Sequence, residues 1–169
     1  VKISEEIDPK SSLGKLFKAV KENNTSDVHT IIKENGAQLI SRNDPWGYSS
    51  FHRAIEHAHH EMVDLLIRKG PQKNQTSSEE DQVTTGLVDI PCDDKDEYTP
   101  LCLAAKGGTH EHISCMNLLC VAGAGIDCAT KSGLTPLQVA VMHGQIQTAK
   151  ELIKRGANKK ILDIALSPK

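Results

Sequence analysis

One stretch of this chain comes back on itself. Thr130-Lys-Ser-Gly133-Leu-Thr135-Pro136-Leu137-Gln-Val-Ala140 recurs as Asp94-Lys-Asp-Glu97-Tyr-Thr99-Pro100-Leu101-Cys-Leu-Ala104, a spacing of 36 residues. The pattern is found again in Asp44-Pro-Trp-Gly47-Tyr-Ser49-Ser50-Phe51-His52-Arg-Ala54 and, in worn form, in Leu13-Gly14-Lys15-Leu16-Phe17-Lys18-Ala19. Each copy runs on into a second amphipathic segment closed by a glycine, at Gly36, Gly70, Gly123 and Gly156. A unit this short cannot bury its own apolar stripe. It has to stack on its neighbours, which points to a linear array with a shared core.

The local chemistry is that of paired helices. Thr or Ser before Pro is a helix N-cap with Pro at the first helical position, where its missing N–H costs nothing. The Leu and Ala that follow lie on one helical face, and the small Ala lets neighbouring helices come close. A glycine ends each second segment, as at many helix C-termini. Aromatics make up only 3% of the chain. The core must therefore be built from Leu, Ile, Val and Ala, which suits closely packed small helices better than a sandwich or a large enzyme core.

This pattern resembles the ankyrin repeat, D-x-x-G-x-T-P-L-H-x-A followed by G-H and a helix with paired leucines. The resemblance implies an all-α solenoid of antiparallel helix pairs with short β-hairpin fingers. It covers residues 1–169 as one domain, with repeats at about 10–42, 43–70, 94–129 and 130–162. Three departures stand out. Ser49 and Thr99 are 50 residues apart, against a usual period of about 33. The excess falls in residues 71–93, whose polar composition predicts a flexible acidic insertion, although Gly86-Leu-Val-Asp-Ile90 within it is apolar enough to pack as a strand or lid. A smaller insertion after Gly108 is expected to lengthen the turn between two helices, and the first repeat lacks Thr-Pro, as a capping repeat often does. Gln145, Gln147, Lys150 and Lys154 predict a last helix polar enough to face water.

A net charge of −2 gives no general drive toward nucleic acid or an anionic membrane. The distribution is uneven: residues 71–98 hold eight acids against Lys73 and Lys95, whereas 131–169 hold seven Lys or Arg against Glu151 and Asp163. No apolar run reaches the roughly 20 residues of a membrane span. Five cysteines without a CxxC pair read as free thiols of a reducing compartment, the cytoplasm or nucleus. The chain opens on Val1 rather than Met and carries no secretory leader pattern, which points to a trimmed start.

For function, the resemblance implies a protein partner met by the fingers and by the concave face formed by the first helices, with the array itself monomeric. Carried over residue by residue, these positions are Pro45, Trp46, Tyr48, Glu56 and His57 in the second repeat. In the third they are Lys95, Asp96, Tyr98, Lys106 and Gly107, and in the fourth Lys131, Ser132, Leu134, Met142 and His143. The only Trp and both Tyr fall in this set. With Leu134 they are expected to form an apolar stripe of the kind that anchors a partner, or else to pack on neighbouring fingers. His57 and His60, with His110 or His112, are close to a metal-ligand spacing, but His52 and His59 read as scaffold positions, and no metal or cofactor is expected. Cys102, Cys115 and Cys120 read as buried thiols acting as small hydrophobes. No nucleophile, base and acid are set out in any catalytic pattern, so no enzyme is expected. Ser77 and Ser78 before Glu79-Glu80-Asp81 form a possible acidic-directed phosphorylation site. Three roles fit: an adaptor or scaffold, a self-contained inhibitor of a transcription factor similar to the inhibitor of NF-kappa-B proteins, or a regulatory domain of a larger enzyme or channel.

Overall fold

The computed structural model describes residues 7–70 and 86–159. Among them are eight α-helices in four pairs: α1 Ser12–Lys21 and α2 Thr25–Asn35, α3 Ser50–Glu56 and α4 His60–Lys69, α5 Pro100–Gly107 and α6 His110–Val121, α7 Pro136–Met142 and α8 Ile146–Lys154. A 3₁₀ turn, Ala37–Ser41, follows α2. Within each pair a short turn sends the second helix back along the first. The first helices then stack in the order α1, α3, α5, α7, and α2, α4 and α6 stack behind them. The result is an all-α solenoid.

The caps explain where the helices start. Ser49, Thr99 and Thr135 each accept the backbone N–H three residues on, and Pro100 and Pro136 open their helices. In the first repeat, which lacks Thr-Pro, Ser11 caps α1 one turn earlier relative to its leucine. Leu16, Phe51, Leu101 and Leu137 occupy one position in successive repeats, and all four are buried. Ala19, Ala54, Ala104 and Ala140, three residues further on, are buried too, and it is here that the first helices approach one another. The second helices contribute Val28, Met62, Leu66, Cys115, Met116, Leu119 and Leu152 to the same continuous core.

Two details differ from the sequence expectation. The three extra residues after Gly108 do not lengthen a turn. Thr109 caps α6 directly, so they add a turn of helix and make α6 12 residues long against 9 for α8. The expected β-hairpin fingers are tight turns without strands among the described residues, with one isolated bridge between Asn43 and Ser49. The reason is local. Asp44 Oδ1 accepts the N–H groups of Trp46 and Tyr48, and Asp94 Oδ1 those of Asp96 and Glu97, so side chains take up donors that a ladder would use.

Residues 71–85 of the expected insertion, with Ser77 and Ser78, lie outside the described residues. From Gly86 the chain packs as a turn and not as a strand: Leu87 and Val88 are buried in the core. Leu87 sits against Gly70 so closely that a Cβ there would lie 2.3 Å from its Cδ1. Ile90 then passes its carbonyl to the His52 ring at 2.9 Å.

Candidate partner-binding surface

The sequence-selected positions occupy two rows on the solenoid. Pro45, Trp46 and Tyr48, Lys95, Asp96 and Tyr98, and Lys131, Ser132 and Leu134 lie in the turns before α3, α5 and α7. Glu56 and His57, Lys106 and Gly107, and Met142 and His143 lie at the C-terminal ends of those helices. Most are exposed, but Tyr48, Tyr98 and Leu134 are half-buried and pack against the core. Gly107 faces inward, against the His112 ring.

The turn before α3 is tied together most heavily. Arg53 lays its guanidinium across the Tyr48 ring, 4.3 Å from the centroid, and within 5.9 Å of the Trp46 ring. Its Nε and a terminal nitrogen donate to Asp44 Oδ2 at 2.8 and 2.6 Å, and the other terminal nitrogen to Glu56 Oε2 at 2.6 Å. Burial works against the Arg53 charge, but the bonds to Glu56 and Asp44 outweigh it and raise its proton affinity further. Asp44 thereby has both oxygens occupied in a nearly buried position, a geometry that holds the turn rigid.

Contacts from the next turn extend this lock. The Tyr48 hydroxyl donates to Asp94 Oδ2 at 2.6 Å, and Asp93 N–H donates to the Gly47 carbonyl at 2.7 Å. Gly47 has φ +87°, and a Cβ there would fall 2.1 Å from the Asp93 carbonyl oxygen, so only glycine fits. Burial, followed by the Asp94 hydrogen bond, raises the Tyr48 pKa well above its ordinary value. Burial opposes the Asp94 charge, but donation from Tyr48, Cys92 and the Glu97 and Asp96 amides keeps its carboxyl below the usual range. Tyr98 is packed similarly under Lys106, 5.0 Å from the ring centroid, and Lys131 pairs with Glu97. The two tyrosines are therefore largely used within the molecule.

Trp46 differs. Its backbone is held by Asp44, yet its side chain leaves it 64% exposed. It stands at the mouth of an open cleft of about 390 Å³ between α1 and the turn before α3, lined also by Phe17, Lys18, Lys21, Arg53 and His57. Burial lowers the His57 pKa against the opposing pull of the nearby Glu56 charge. Sequence reasoning picked Trp46 and His57 but missed the α1 wall, because Phe17, Lys18 and Lys21 meet the turn before α3 only across the boundary between two repeats. It also passed over Arg53, although a lone arginine one residue past the scaffold histidine and close to Trp46 and Tyr48 is a visible signal.

The chemistry-bearing residues elsewhere are structural. His52 accepts at Nδ1 from Ser49, so its other nitrogen carries the proton given to the Ile90 carbonyl, and burial lowers its pKa. His112 repeats the device at the start of α6, with Nδ1 2.8 Å from Thr109 Oγ1. Among the described residues no group of three or more His, Cys, Asp or Glu gathers to hold a metal ion. All five cysteines are free thiols, and burial pushes Cys92 and Cys115 up to about 12 and Cys102 to about 11, far from a reactive thiolate. No helix of the described residues is long and apolar enough to cross a membrane.

Four stacked helix pairs presenting turns along one edge define an α-solenoid of the interaction-module class. The chain belongs to the ankyrin-repeat family: a family model of three ankyrin repeats matches residues 78–163, and a single-repeat model matches 46–75. Members of this family are in general non-catalytic protein-interaction modules. Among curated proteins, the chain is similar to "Ankyrin repeat protein nuc-2" of Neurospora crassa, 28% identical over 116 residues, which is 69% of this chain and 9% of that protein. It is also similar to "Putative ankyrin repeat protein FPV222" of Fowlpox virus, 29% identical over 115 residues, 68% of this chain and 13% of that one. The matched region thus spans about a tenth of each relative's length.

Proposed function

We propose that this chain is a non-catalytic adaptor or scaffold module that holds a protein partner along its turns and first-helix ends, with the Trp46 cleft as its principal contact. The observation that carries this is the contrast between Trp46 and its neighbours. Tyr48 is packed and hydrogen-bonded to Asp94 and Tyr98 is half-buried under Lys106, whereas Trp46 is held by a rigid turn and left open at a cleft. A preorganised aromatic costs little entropy to bind and buries a large area when it does, which is the profile of an interface hot spot. Asp96, Lys106, Lys131, Leu134, Met142 and His143 then serve as flanking contacts, with Glu56 and His57 at the cleft. The buried free thiols fit a reducing compartment, cytoplasm or nucleus. The proposal concerns the surface and leaves the output open. A separate adaptor, an inhibitor that masks its partner and a module of a longer enzyme or channel would all use it.

The test compares partners recovered from cell lysate by the wild-type chain and by Trp46→Ala. Tyr48 and Tyr98 are left intact, because their loss would loosen the turns themselves. A partner lost only from the variant, with the helical circular-dichroism spectrum unchanged, is the expected result. Equal recovery by both chains would move the contact elsewhere.

A further inference from the structure

The charges around the cleft beside Trp46 are unevenly matched. Its apolar lining comes from two repeats, Phe17 on α1 and the exposed Trp46 in the turn before α3. Lys18 and Lys21 line it too, three residues apart and so on one face of α1. Both stand in the last turn of α1, where the helix dipole favours a cation in any case. What makes them a recognition feature is that they border the cleft without being tied down in it. Lys18 is 4.0 Å from Glu22, which lies away from the cleft in the hollow between α1 and α2. Lys21 is exposed and forms no ion pair among the described residues.

The remaining charges at this place are engaged with one another. Arg53 donates to Asp44 on one side and to Glu56 on the other. Among the lining residues, Lys18, Lys21 and Arg53 thus stand against Asp44 alone, and the two lysines are the charges open to a ligand. A basic segment would meet both of them. It would also find Arg53 already within 5.9 Å of the Trp46 ring, where a cation would otherwise stack. An acidic segment meets two exposed ammonium groups beside an aromatic wall. Size bears on shape as well. A cleft of about 390 Å³ is at the small end for a binding site. It has room for one large side chain, not for the several anchors that a helix lays in a groove.

Resting on the cleft as the partner contact proposed above, we infer that its occupant is an extended, acidic segment of the partner, with one large apolar residue, Phe or Leu, flanked by Asp or Glu. The apolar side chain packs against Phe17 and Trp46, and the carboxylates meet Lys18 and Lys21. The apolar contact holds the segment, while the lysines select its sign of charge and speed its arrival.

The probes are three fluorescein-labelled peptides of about ten residues with flexible Gly and Ser ends. One has a central Phe between pairs of Glu, the second has Lys in place of every Glu, and the third has Ala in place of the Phe. Fluorescence anisotropy with the full chain is expected to show the first binding at least about ten-fold tighter than either of the others. Added unlabelled, it should shift the emission of Trp46, the one tryptophan of the chain, which locates it at the cleft. Lys18→Gln with Lys21→Gln, both at exposed sites, should remove most of its advantage over the Lys peptide and leave the circular-dichroism spectrum unchanged. Raising the salt to about 0.5 M should do the same to the wild-type chain, with no substitution at all. Equal binding of the first peptide and either of the others, binding of none, or indifference to the loss of both lysines overturns the inference. If the Lys peptide binds tighter and shifts Trp46, the cleft stands as a contact and the acidic occupant falls. If the acidic peptide binds but neither shifts Trp46 nor loses affinity in Trp46→Ala, the cleft itself falls, and its occupant with it.

Discussion

The second and third repeats set the same backbone around different side chains. At the third position of the first helix, His52 in one and Cys102 in the other are both buried and both face the loop that leads into the next turn. The His52 ring spans the gap: it accepts from Ser49 and donates to the Ile90 carbonyl at 2.9 Å. Cys102 reaches toward the Cys128 and Leu134 carbonyls at 3.7 and 3.9 Å, contacts that a thiol makes weakly. The turn of the second repeat is further tied by Asp44, Arg53 and Tyr48, whereas that of the fourth is joined to its neighbour chiefly by Lys131 with Asp96 and Glu97. The scaffold therefore tolerates a thiol where a ring usually stands. What sets the turn that carries Trp46 apart is its nearly buried Asp44 paired with Arg53.

The largest effect should separate a packed site from an exposed one. Ile55→Ala should destabilise by about 3 kcal/mol, because it opens a cavity in a fully packed helix interface. Val141, at the equivalent site in α7, is 42% exposed, and Val141→Ala should cost less than about 1 kcal/mol. Urea unfolding of both variants checks this, and similar losses would contradict that difference in packing.

Next comes the bonded turn. Arg53→Met leaves the Asp44 carboxylate buried without its counter-ion and should cost about 2 kcal/mol, less than a deeply buried pair because Arg53 is partly exposed. It should also release Trp46, visible as a change in its emission.

Replacing His52 by Cys copies the third repeat into the second and should cost about 1 kcal/mol at pH 7.5. The pH dependence follows from linkage. Burial lowers the folded His52 pKa, while the unfolded chain takes up a proton near 6.5. The ring's contribution is therefore complete above about 6.5 and is lost as pH falls from there through the depressed folded value. The stability difference between wild type and His52→Cys should shrink between pH 7.5 and pH 5, and a gap that widened would contradict the neutral ring.

The smallest effect concerns the turn between paired helices. Asn23, Ala58, Gly108 and Gly144 all hold left-handed backbone there, and Ala58 does so at φ +58°. Ala58→Gly should stabilise by about 0.5–1 kcal/mol, since the strain it removes exceeds the entropy it adds. Thermal unfolding would report it.

Much of the fold was legible because it rests on short-range chemistry. Thr-Pro caps, the core Leu and the paired Ala each act within one turn of helix and recur, so the helix pairs can be read from Thr99 or Thr135 alone. The extra turn of α6 was not legible, because Thr109 serves equally well as a loop residue or an N-cap until its neighbours are placed. The site was legible only in part. Repeat position identifies Trp46 as lying in a turn, but it cannot show that Tyr48 bonds Asp94, 46 residues away, or that Phe17 and Lys21 form the facing wall. Those are contacts between repeats, and no motif within one repeat encodes them.

The central claim, that the Trp46 cleft is where a partner sits, is tested most directly by the fluorescence of Trp46 itself, the one tryptophan of the chain. Acrylamide quenching is measured for the free chain and again with the partner recovered by the wild type. The account predicts free quenching close to that of an exposed indole and a several-fold drop in the complex. Unchanged quenching in a saturated complex would contradict it.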